Sequence, residues 1–363
     1  STIYMFEKNK KERGQARGGR KMEGRELMQR VKRNDSYRPD PDRYENAEFR
    51  RAGRSGLKLS AVSLGLWHNF GSSDDYENMR EMVFTAFDCG ITVFDIANNY
   101  GPSSGSAERN FGSILARDLA SYRDEMIITT KAGYGAWKGP YGGGDGSRKH
   151  LVSSLDRSLK NLGLEYVDIF YHHRPDPDTP LEETCLALKY IVDSGRALYV
   201  GISNYGCERT RDICAMLREL RVPFVLTQMP YSIFERKIER EGIQALAEEE
   251  GVAVTAFRPL AQGLLTDKYL CGIPAGSRME RDYFLKKAAL TEEKLAQIKA
   301  LNELAAQRGQ TLAEMALSWA IRDGSVASVI IGASSPQQIR QNVKLNSSFT
   351  AEELKRIDTL SGN

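Results

Sequence analysis

The chain has 363 residues, 41% of them hydrophobic and 27% charged, which is enough apolar material for one large core or two ordinary ones. No apolar run approaches the roughly 18 residues of a membrane-spanning helix, so such a span is excluded. The net charge of +3 is uneven, because residues 1–35 hold eleven Lys or Arg against five Asp or Glu, a surplus of six. The remainder therefore carries −3 and gives no electrostatic reason to expect a nucleic acid partner.

The cysteines and histidines bear on the compartment of the protein and on whether it holds a metal ion. The five cysteines form no C-x-x-C pair, and the first residues are charged rather than apolar. Both features predict a cytoplasmic protein with reduced thiols. There are four histidines, and only His172 and His173 are adjacent. No metal site is predicted.

The composition divides the chain into two parts. Residues 1–36 are interpreted as a basic, mobile extension, with an arm for an acidic partner or membrane surface as the alternative. A linker rich in Pro and Asp begins at Tyr37. Residues 37–363 are expected to form a single domain.

Short apolar runs rich in β-branched and aromatic residues then alternate with helical patterns. Eight runs predict strands at 61–66, 91–96, 126–130, 166–171, 197–202, 224–228, 252–257 and 329–331. Between them apolar residues recur at helical spacing, as at Met79, Met82 and Val83. Three helix starts are predicted from an N-cap residue followed by Pro or by an acidic or amide residue: Thr179 before Pro180, Thr311 with Glu314, and Ser335 before Pro336.

Eight strand–helix units over about 300 residues predict an α/β fold of the (β/α)8 TIM barrel class. A doubly wound sheet would also alternate in this way. However, no G-x-G-x-x-G follows the first strand. The segment from Phe49 is expected to be a β-hairpin that plugs the barrel, and extra helices are expected at the C-terminal end.

Active sites of such barrels form at the C-terminal ends of the strands. Polar residues follow five consecutive strands at this end: Asp95 and Tyr100, Lys131, His172 and His173, Ser203 and Asn204, and Gln228. Because strand side chains alternate, only one of the two histidines can face the barrel mouth.

Asp, Tyr, Lys and His at one mouth predict carbonyl reduction. A phenol with a pKa near 10 is a poor acid at neutral pH, and a nearby ammonium is expected to lower that pKa. A carboxylate holds the ammonium, and an imidazole orients the carbonyl oxygen. Taken singly, Asp95 could cap a helix, Tyr100 could be a loop aromatic and Lys131 a solvated strand end. The hypothesis therefore rests on the four residues together.

Three motifs make the sequence similar to a known family. They are Phe94-Asp95-x-Ala97-x-x-Tyr100-Gly101, Thr130-Lys131 and Gly201-Ile202-Ser203-Asn204. Over residues 48–360 the chain resembles the aldo-keto reductase superfamily. Segments 63–71, 164–169 and 259–278 are most similar to the bacterial glyceraldehyde 3-phosphate reductase group, which is related to voltage-gated potassium channel β subunits.

The resemblance implies a catalytic tetrad of Asp95, Tyr100, Lys131 and His173. His173 is preferred to His172 because the family's catalytic position lies five residues after the Asp that matches Asp168. The channel β subunits carry Asn at this position, so His173 favours the catalytic branch.

The resemblance also implies NADPH/NADP+ as the cofactor. Ser203, Asn204 and Gln228 match residues that hold the nicotinamide carboxamide, and Tyr231 matches an aromatic that stacks on the ring. Lys268 and Arg278 match a basic pair near the 2′-phosphate. The remaining predicted cofactor positions are Trp67, Phe257, Arg258, Pro259, Leu260, Gln262, Gly263, Gly332, Ser334, Gln338, Gln341 and Asn342.

The expected function is NADPH-dependent reduction of small aldehydes and ketones, such as glyceraldehyde 3-phosphate or methylglyoxal. The alternative is an NADP(H)-binding regulatory subunit similar to the channel β subunits. The resemblance also implies a homo-oligomer, a tetramer or larger. The glycine-rich segment 133–146 is either a connector or a lid over the mouth.

Overall fold

The computed structural model describes residues 37–275, 277, 279–280 and 285–362. The predicted extension, residues 1–36, lies outside the described residues, and so does Arg278.

A closed barrel of eight parallel strands forms the centre of the fold. Two short strands, β1 (Phe49–Arg51) and β2 (Lys58–Ser60), precede it as an antiparallel pair. The barrel strands are β3 (Val62–Gly65), β4 (Val93–Asp95), β5 (Ile127–Ala132), β6 (Val167–His172), β7 (Ala197–Ser203), β8 (Phe224–Pro230), β9 (Ala253–Phe257) and β10 (Val326–Ile331). Neighbouring strands pair in chain order, and β10 closes the barrel by pairing with both β9 and β3. The eight predicted strands and the barrel are confirmed.

Helices surround the barrel. The described helices are α1 (Tyr76–Asp88), α2 (Ser106–Ile114), α3 (Arg148–Leu162), α4 (Leu181–Asp193), α5 (Cys207–Glu219), α6 (Lys237–Arg240), α7 (Ile243–Glu250), α8 (Glu292–Gln307), α9 (Leu312–Ala320), α10 (Pro336–Asn342) and α11 (Ala351–Ser361). Among these described helices, none has the length and apolar character that crossing a bilayer requires.

The predicted hairpin plug is also present. Gly53 at its turn has φ +58°, and a Cβ there would lie 2.1 Å from the carbonyl oxygen of Gly251, so this position requires glycine. The backbone N–H of Arg54 donates to the same carbonyl at 2.9 Å. Leu59 and Ala52 are fully buried against the inward residues of the barrel strands. The hairpin therefore packs at the end of the barrel where β9 begins.

Two of the three predicted helix caps are confirmed. Thr311 and Glu314 form a reciprocal capping box, and Ser335 caps α10 with Pro336 in the first turn. The prediction for Thr179 is wrong, because α4 begins one residue later, after Pro180, without a side-chain cap. The Thr179 hydroxyl hydrogen-bonds to Asp176 instead.

Candidate active site

A buried chain of polar contacts joins Asp95, Lys131 and Tyr100 at the C-terminal ends of β4 and β5. Asp95 is the last residue of β4 and pairs with Thr129 of β5, so Lys131 lies two residues further along on the same side of the strand. Lys131 Nζ donates to Asp95 Oδ2 at 2.6 Å, to the Ile96 carbonyl at 2.8 Å and to the Tyr100 hydroxyl at 3.2 Å. The three side chains predicted from the strand ends therefore meet.

The Lys131 ammonium is fully buried and is held in its charged form by its partners. Burial by itself lowers the pKa of a lysine, but the charge of Asp95 and the Tyr100 hydroxyl outweigh it and raise the pKa of Lys131 above its usual value. The site therefore contains a permanent positive charge next to the phenol.

The acidity of Tyr100 differs from the sequence-based expectation. Burial raises the pKa of Tyr100 above its usual value, although the charge of Lys131 lowers it. Asp95 next to the ammonium also raises that pKa. The expected effect of the Lys131 ammonium is therefore present, but burial and Asp95 outweigh it, so the net shift of the Tyr100 pKa is upward.

The two adjacent histidines face different surroundings. The His173 ring lies against the Tyr100 ring, with centroids 5.9 Å apart. His172 instead hydrogen-bonds through Nδ1 to the Tyr205 hydroxyl at 2.6 Å. Burial and the charge of Lys131 lower the pKa of His173 well below its usual value, so the imidazole beside Tyr100 is neutral.

The residues predicted to hold a carboxamide lie beside this cluster. Asn204 Nδ2 donates to the His173 carbonyl and to Ser203 Oγ, each at 3.1 Å. Gln228 Nε2 donates to Asp95 Oδ1 at 2.9 Å. Gln228 thus belongs to the hydrogen-bond network of Asp95.

Aromatic and cationic groups also lie near Tyr100. The Trp67 ring stacks on the Tyr100 ring with centroids 6.1 Å apart. The exposed Arg258 guanidinium lies 5.2 Å from the Trp67 ring and 5.7 Å from the Phe257 ring. Arg258 and Phe257, two further predicted cofactor positions, therefore extend the site from Trp67 toward β9.

Tyr231 does not lie open to this site. Its ring is fully buried and packs on Trp319 at 5.1 Å between centroids. Its hydroxyl donates to Glu239 and accepts from Arg322 Nη1. No face of the ring is open for stacking, so the prediction that Tyr231 stacks on a cofactor ring is wrong. Phe257, whose carbonyl accepts from the Tyr231 N–H, is only half buried.

The other predicted cofactor positions lie in the segment after β9 and in the loop and helix after β10. In the segment after β9, Pro259 is buried, Leu260 half buried and Lys268 exposed, while Gln262 and Gly263 have positive φ. After β10, Gln338 Oε1 of α10 accepts from the Ser334 N–H of the preceding loop at 2.9 Å. Gly332 of that loop and Gln341 of α10 are exposed, and Asn342 at the end of α10 is buried.

Two residues of the site and one contact were absent from the sequence-based prediction. Thr129 Oγ1 donates to Asp95 Oδ1 at 2.8 Å, and its position two residues before Lys131 is a signal that could have revealed it. The bond from Gln228 to Asp95 spans 133 positions and has no local signal. Tyr134, in the glycine-rich segment, contacts His173 and has none either.

The described residues thus form an eight-stranded barrel whose mouth holds a buried Asp–Lys–Tyr chain and an adjacent histidine. The aldo/keto reductase family model matches residues 61–361. The chain therefore belongs to the aldo/keto reductase family and is an oxidoreductase. Members of this family typically use nicotinamide cofactors.

Particular relatives refine this assignment. The chain is 53% identical to L-glyceraldehyde 3-phosphate reductase of Escherichia coli K12 over 325 residues, 88% of this chain and 94% of the relative. It is 36% identical to a putative voltage-gated potassium channel subunit beta of Schizosaccharomyces pombe over 87% of this chain and 94% of that one. A probable channel subunit beta of Oryza sativa is 35% identical over 82% and 90%.

Proposed function

We propose that the protein reduces small aldehydes and ketones with NADPH and that Tyr100 is the general acid. The observation that supports this best is the buried chain from Asp95 through Lys131 Nζ to the Tyr100 hydroxyl. It combines a proton donor with a fixed positive charge, which is what a carbonyl oxygen requires as it gains electrons.

The residues have distinct roles in this proposal. A reduced nicotinamide cofactor, when bound, would supply the hydride for the carbonyl carbon. Tyr100 would give its hydroxyl proton to the carbonyl oxygen, so that the product is the alcohol. Lys131 stabilises the phenolate that remains, and Asp95 holds Lys131 in place. The neutral His173 imidazole donates a hydrogen bond that orients the substrate oxygen.

The donor set fits a nicotinamide carboxamide. Ser203 and Asn204 place a hydroxyl and an amide side by side, and Asn204 is tied to the backbone of His173. With Gln228 they would hold the carboxamide next to the reacting carbon. The exposed Lys268, together with Arg278, would meet a 2′-phosphate, so we propose NADPH rather than NADH. Equal affinity for the two nucleotides would contradict that choice.

Substrates of three carbons are proposed from the similar relative. That relative is named for L-glyceraldehyde 3-phosphate, and 53% identity over most of both chains supports a phosphorylated triose here. Methylglyoxal is the proposed unphosphorylated substrate. NADPH consumption with paired phosphorylated and unphosphorylated aldehydes separates the two classes.

The decisive variant is Tyr100→Phe. We expect it to lose at least about 100-fold in turnover while NADPH binding, followed by fluorescence titration, is retained, because only the acidic proton is removed. Tyr76→Phe is the matched control, since the Tyr76 hydroxyl bonds to Ser113 on the helical surface. Normal turnover by Tyr100→Phe would refute the mechanism.

The second candidate function is a regulatory subunit that binds NADP(H). Its support is the similarity of 36% to a putative channel subunit beta. His173 beside Tyr100 favours the reductase, because the imidazole supplies a hydrogen bond to a substrate oxygen. NADPH retention without turnover on any aldehyde in the panel would favour the regulatory subunit.

A further inference from the structure

Tyr134, which lies outside the predicted tetrad, packs directly on His173. The two ring centroids are 4.6 Å apart and the planes are nearly perpendicular, at 88°. This edge-to-face arrangement is a favourable one for aromatic rings. Tyr134 is half buried.

The backbone before Tyr134 is built for this contact. Gly133 directly follows β5 and has φ +148°, a backbone conformation that residues other than glycine rarely adopt. A Cβ on Gly133 would lie 3.1 Å from His173 Cβ. Glycine therefore allows the segment to leave β5 in close contact with His173.

Arg174, the residue after His173, contacts the same segment. Its guanidinium carbon lies 4.5 Å from the Tyr134 ring centroid. Its Nε donates to the Gly133 carbonyl at 2.7 Å and its Nη2 to the Gly144 carbonyl at 3.1 Å. One side chain thus holds the Tyr134 ring and both ends of the glycine-rich segment.

Further side chains anchor this segment. Asp176 accepts from the Gly146 N–H at 2.7 Å, and Thr184 Oγ1 donates to the Gly146 carbonyl at 2.8 Å. The buried His150 donates through Nδ1 to the Tyr141 carbonyl at 2.6 Å. These contacts tie residues 141 and 146 of the segment to α3, to α4 and to the loop after β6.

The imidazole of His173 depends on packing for its orientation. Its Nδ1 is buried and has no hydrogen-bond partner within the part of the chain that the structure describes. The backbone bonds of His173, to Ala132 and Asn204, hold the main chain but leave rotation of the ring undetermined. Among the described residues, the rings of Tyr100 and Tyr134 contact it.

We propose that Tyr134 is a positioning residue, which fixes the His173 ring toward the substrate oxygen through ring packing that Arg174 holds in place. This inference rests on the proposed function. Tyr134 acts on the reaction through His173, so removal of its ring should lower kcat and leave nucleotide affinity unchanged.

The kinetic test compares four variants. We expect Tyr134→Ala and Tyr134→Leu to lose roughly 10- to 100-fold in kcat, because a small misplacement of a catalytic group has effects of this size. Tyr134→Phe keeps the ring and should recover most of the loss. Tyr141→Ala is the matched control, because Tyr141 belongs to the same segment and its side chain is 52% exposed.

A second measurement does not depend on turnover. With four histidines in the chain, NMR of protein labelled at histidine can follow each imidazole, and His173→Asn assigns the resonance. The titratable or charged groups facing His173 are Tyr100, Lys131 and Tyr134, with His172 and Arg174 adjacent in the chain. In Tyr134→Ala the His173 ring is more exposed to water, so the pKa of His173 should rise toward its usual value.

The outcomes separate this inference from the function on which it rests. Wild-type kcat in Tyr134→Ala and Tyr134→Leu, or a Tyr134→Phe variant as impaired as Tyr134→Ala, would overturn the positioning role. If the wild type has no turnover, the proposed function fails. The histidine spectrum then still decides whether Tyr134 orders His173, since an unchanged His173 resonance in Tyr134→Ala would contradict the contact.

Discussion

Asp95 links the stability of the barrel to its proposed chemistry. Its carboxylate accepts from Lys131 Nζ at 2.6 Å, Thr129 Oγ1 at 2.8 Å and Gln228 Nε2 at 2.9 Å. Lys131 is fully buried, so Asp95 compensates an ammonium that water does not reach. A buried charge without its partner is strongly destabilising, whereas replacing both partners with apolar groups is often tolerated.

We therefore expect Asp95→Asn to lower the free energy of unfolding by about 3–5 kcal/mol. The substitution leaves the Lys131 ammonium without its counter-charge, so the pKa of Lys131 should also fall. Urea denaturation monitored by circular dichroism measures the stability. Turnover should be lost in parallel, because the charge beside Tyr100 is weakened.

The double variant Asp95→Asn/Lys131→Met distinguishes the charge effect from a packing effect. Removal of the ammonium should restore much of the stability without restoring turnover. A double variant as unstable as Asp95→Asn would show that the ion pair does not account for the loss.

Helix α9 begins with a capping box and carries, in its last turn, the Trp319 ring that packs on Tyr231. Thr311 Oγ1 accepts from the Glu314 N–H at 3.1 Å, and Glu314 Oε2 accepts from the Thr311 N–H at 2.8 Å. Further along the helix, Trp319 is fully buried, with the Arg322 guanidinium 4.1 Å from its ring. The start of α9 is thus set by four consecutive residues, whereas Trp319 in its last turn packs on Tyr231, which is distant in the sequence.

We expect Thr311→Ala to reduce the free energy of unfolding by about 1 kcal/mol, because it removes one half of the capping box. Thr311→Ser retains the hydroxyl and should remain close to the wild type. Thermal and urea unfolding measure both. Equal loss in the two variants would indicate that the Thr311 methyl group, and not the cap, is responsible.

The response of the folded chain to acid depends on its buried histidines. Burial lowers the pKa of His172 to about 4, and the pKa of His173 also lies well below the usual value. Below pH 6.5 the unfolded chain binds protons at these positions that the folded chain does not bind. The contribution of these two histidines to the free energy of unfolding therefore rises with pH between about 4 and 6.5. It falls as the solution is acidified through this window.

For His172 alone we expect a loss of about 2 kcal/mol on going from pH 7 to pH 5. Buried carboxyls such as Glu108 and Asp168 have raised pKa values and act in the opposite direction, so the wild type alone does not isolate the histidine. The measurement is urea denaturation at both pH values for the wild type and His172→Gln. The variant should show the smaller loss, and identical losses would contradict the assignment.

The order of strands and helices was predictable because it depends on neighbours within a few residues. Alternation predicted all eight barrel strands, and capping residues predicted the starts of α9 and α10. The polar residues at the strand ends were also predictable, since parallel strands bring their C-terminal ends to one rim. For Thr179 the local signal failed, because its hydroxyl bonds to Asp176.

The sequence by itself thus determined the barrel and the presence of Asp, Tyr, Lys and His at its mouth. The tertiary structure alone decided which side chains meet there and how acidic they are. It buried Tyr231 against Trp319, joined Gln228 to Asp95 across 133 positions, placed Tyr134 on His173 and raised the pKa of Tyr100. Burial and long-range contacts depend on residues far apart in the chain, and no local pattern specifies them.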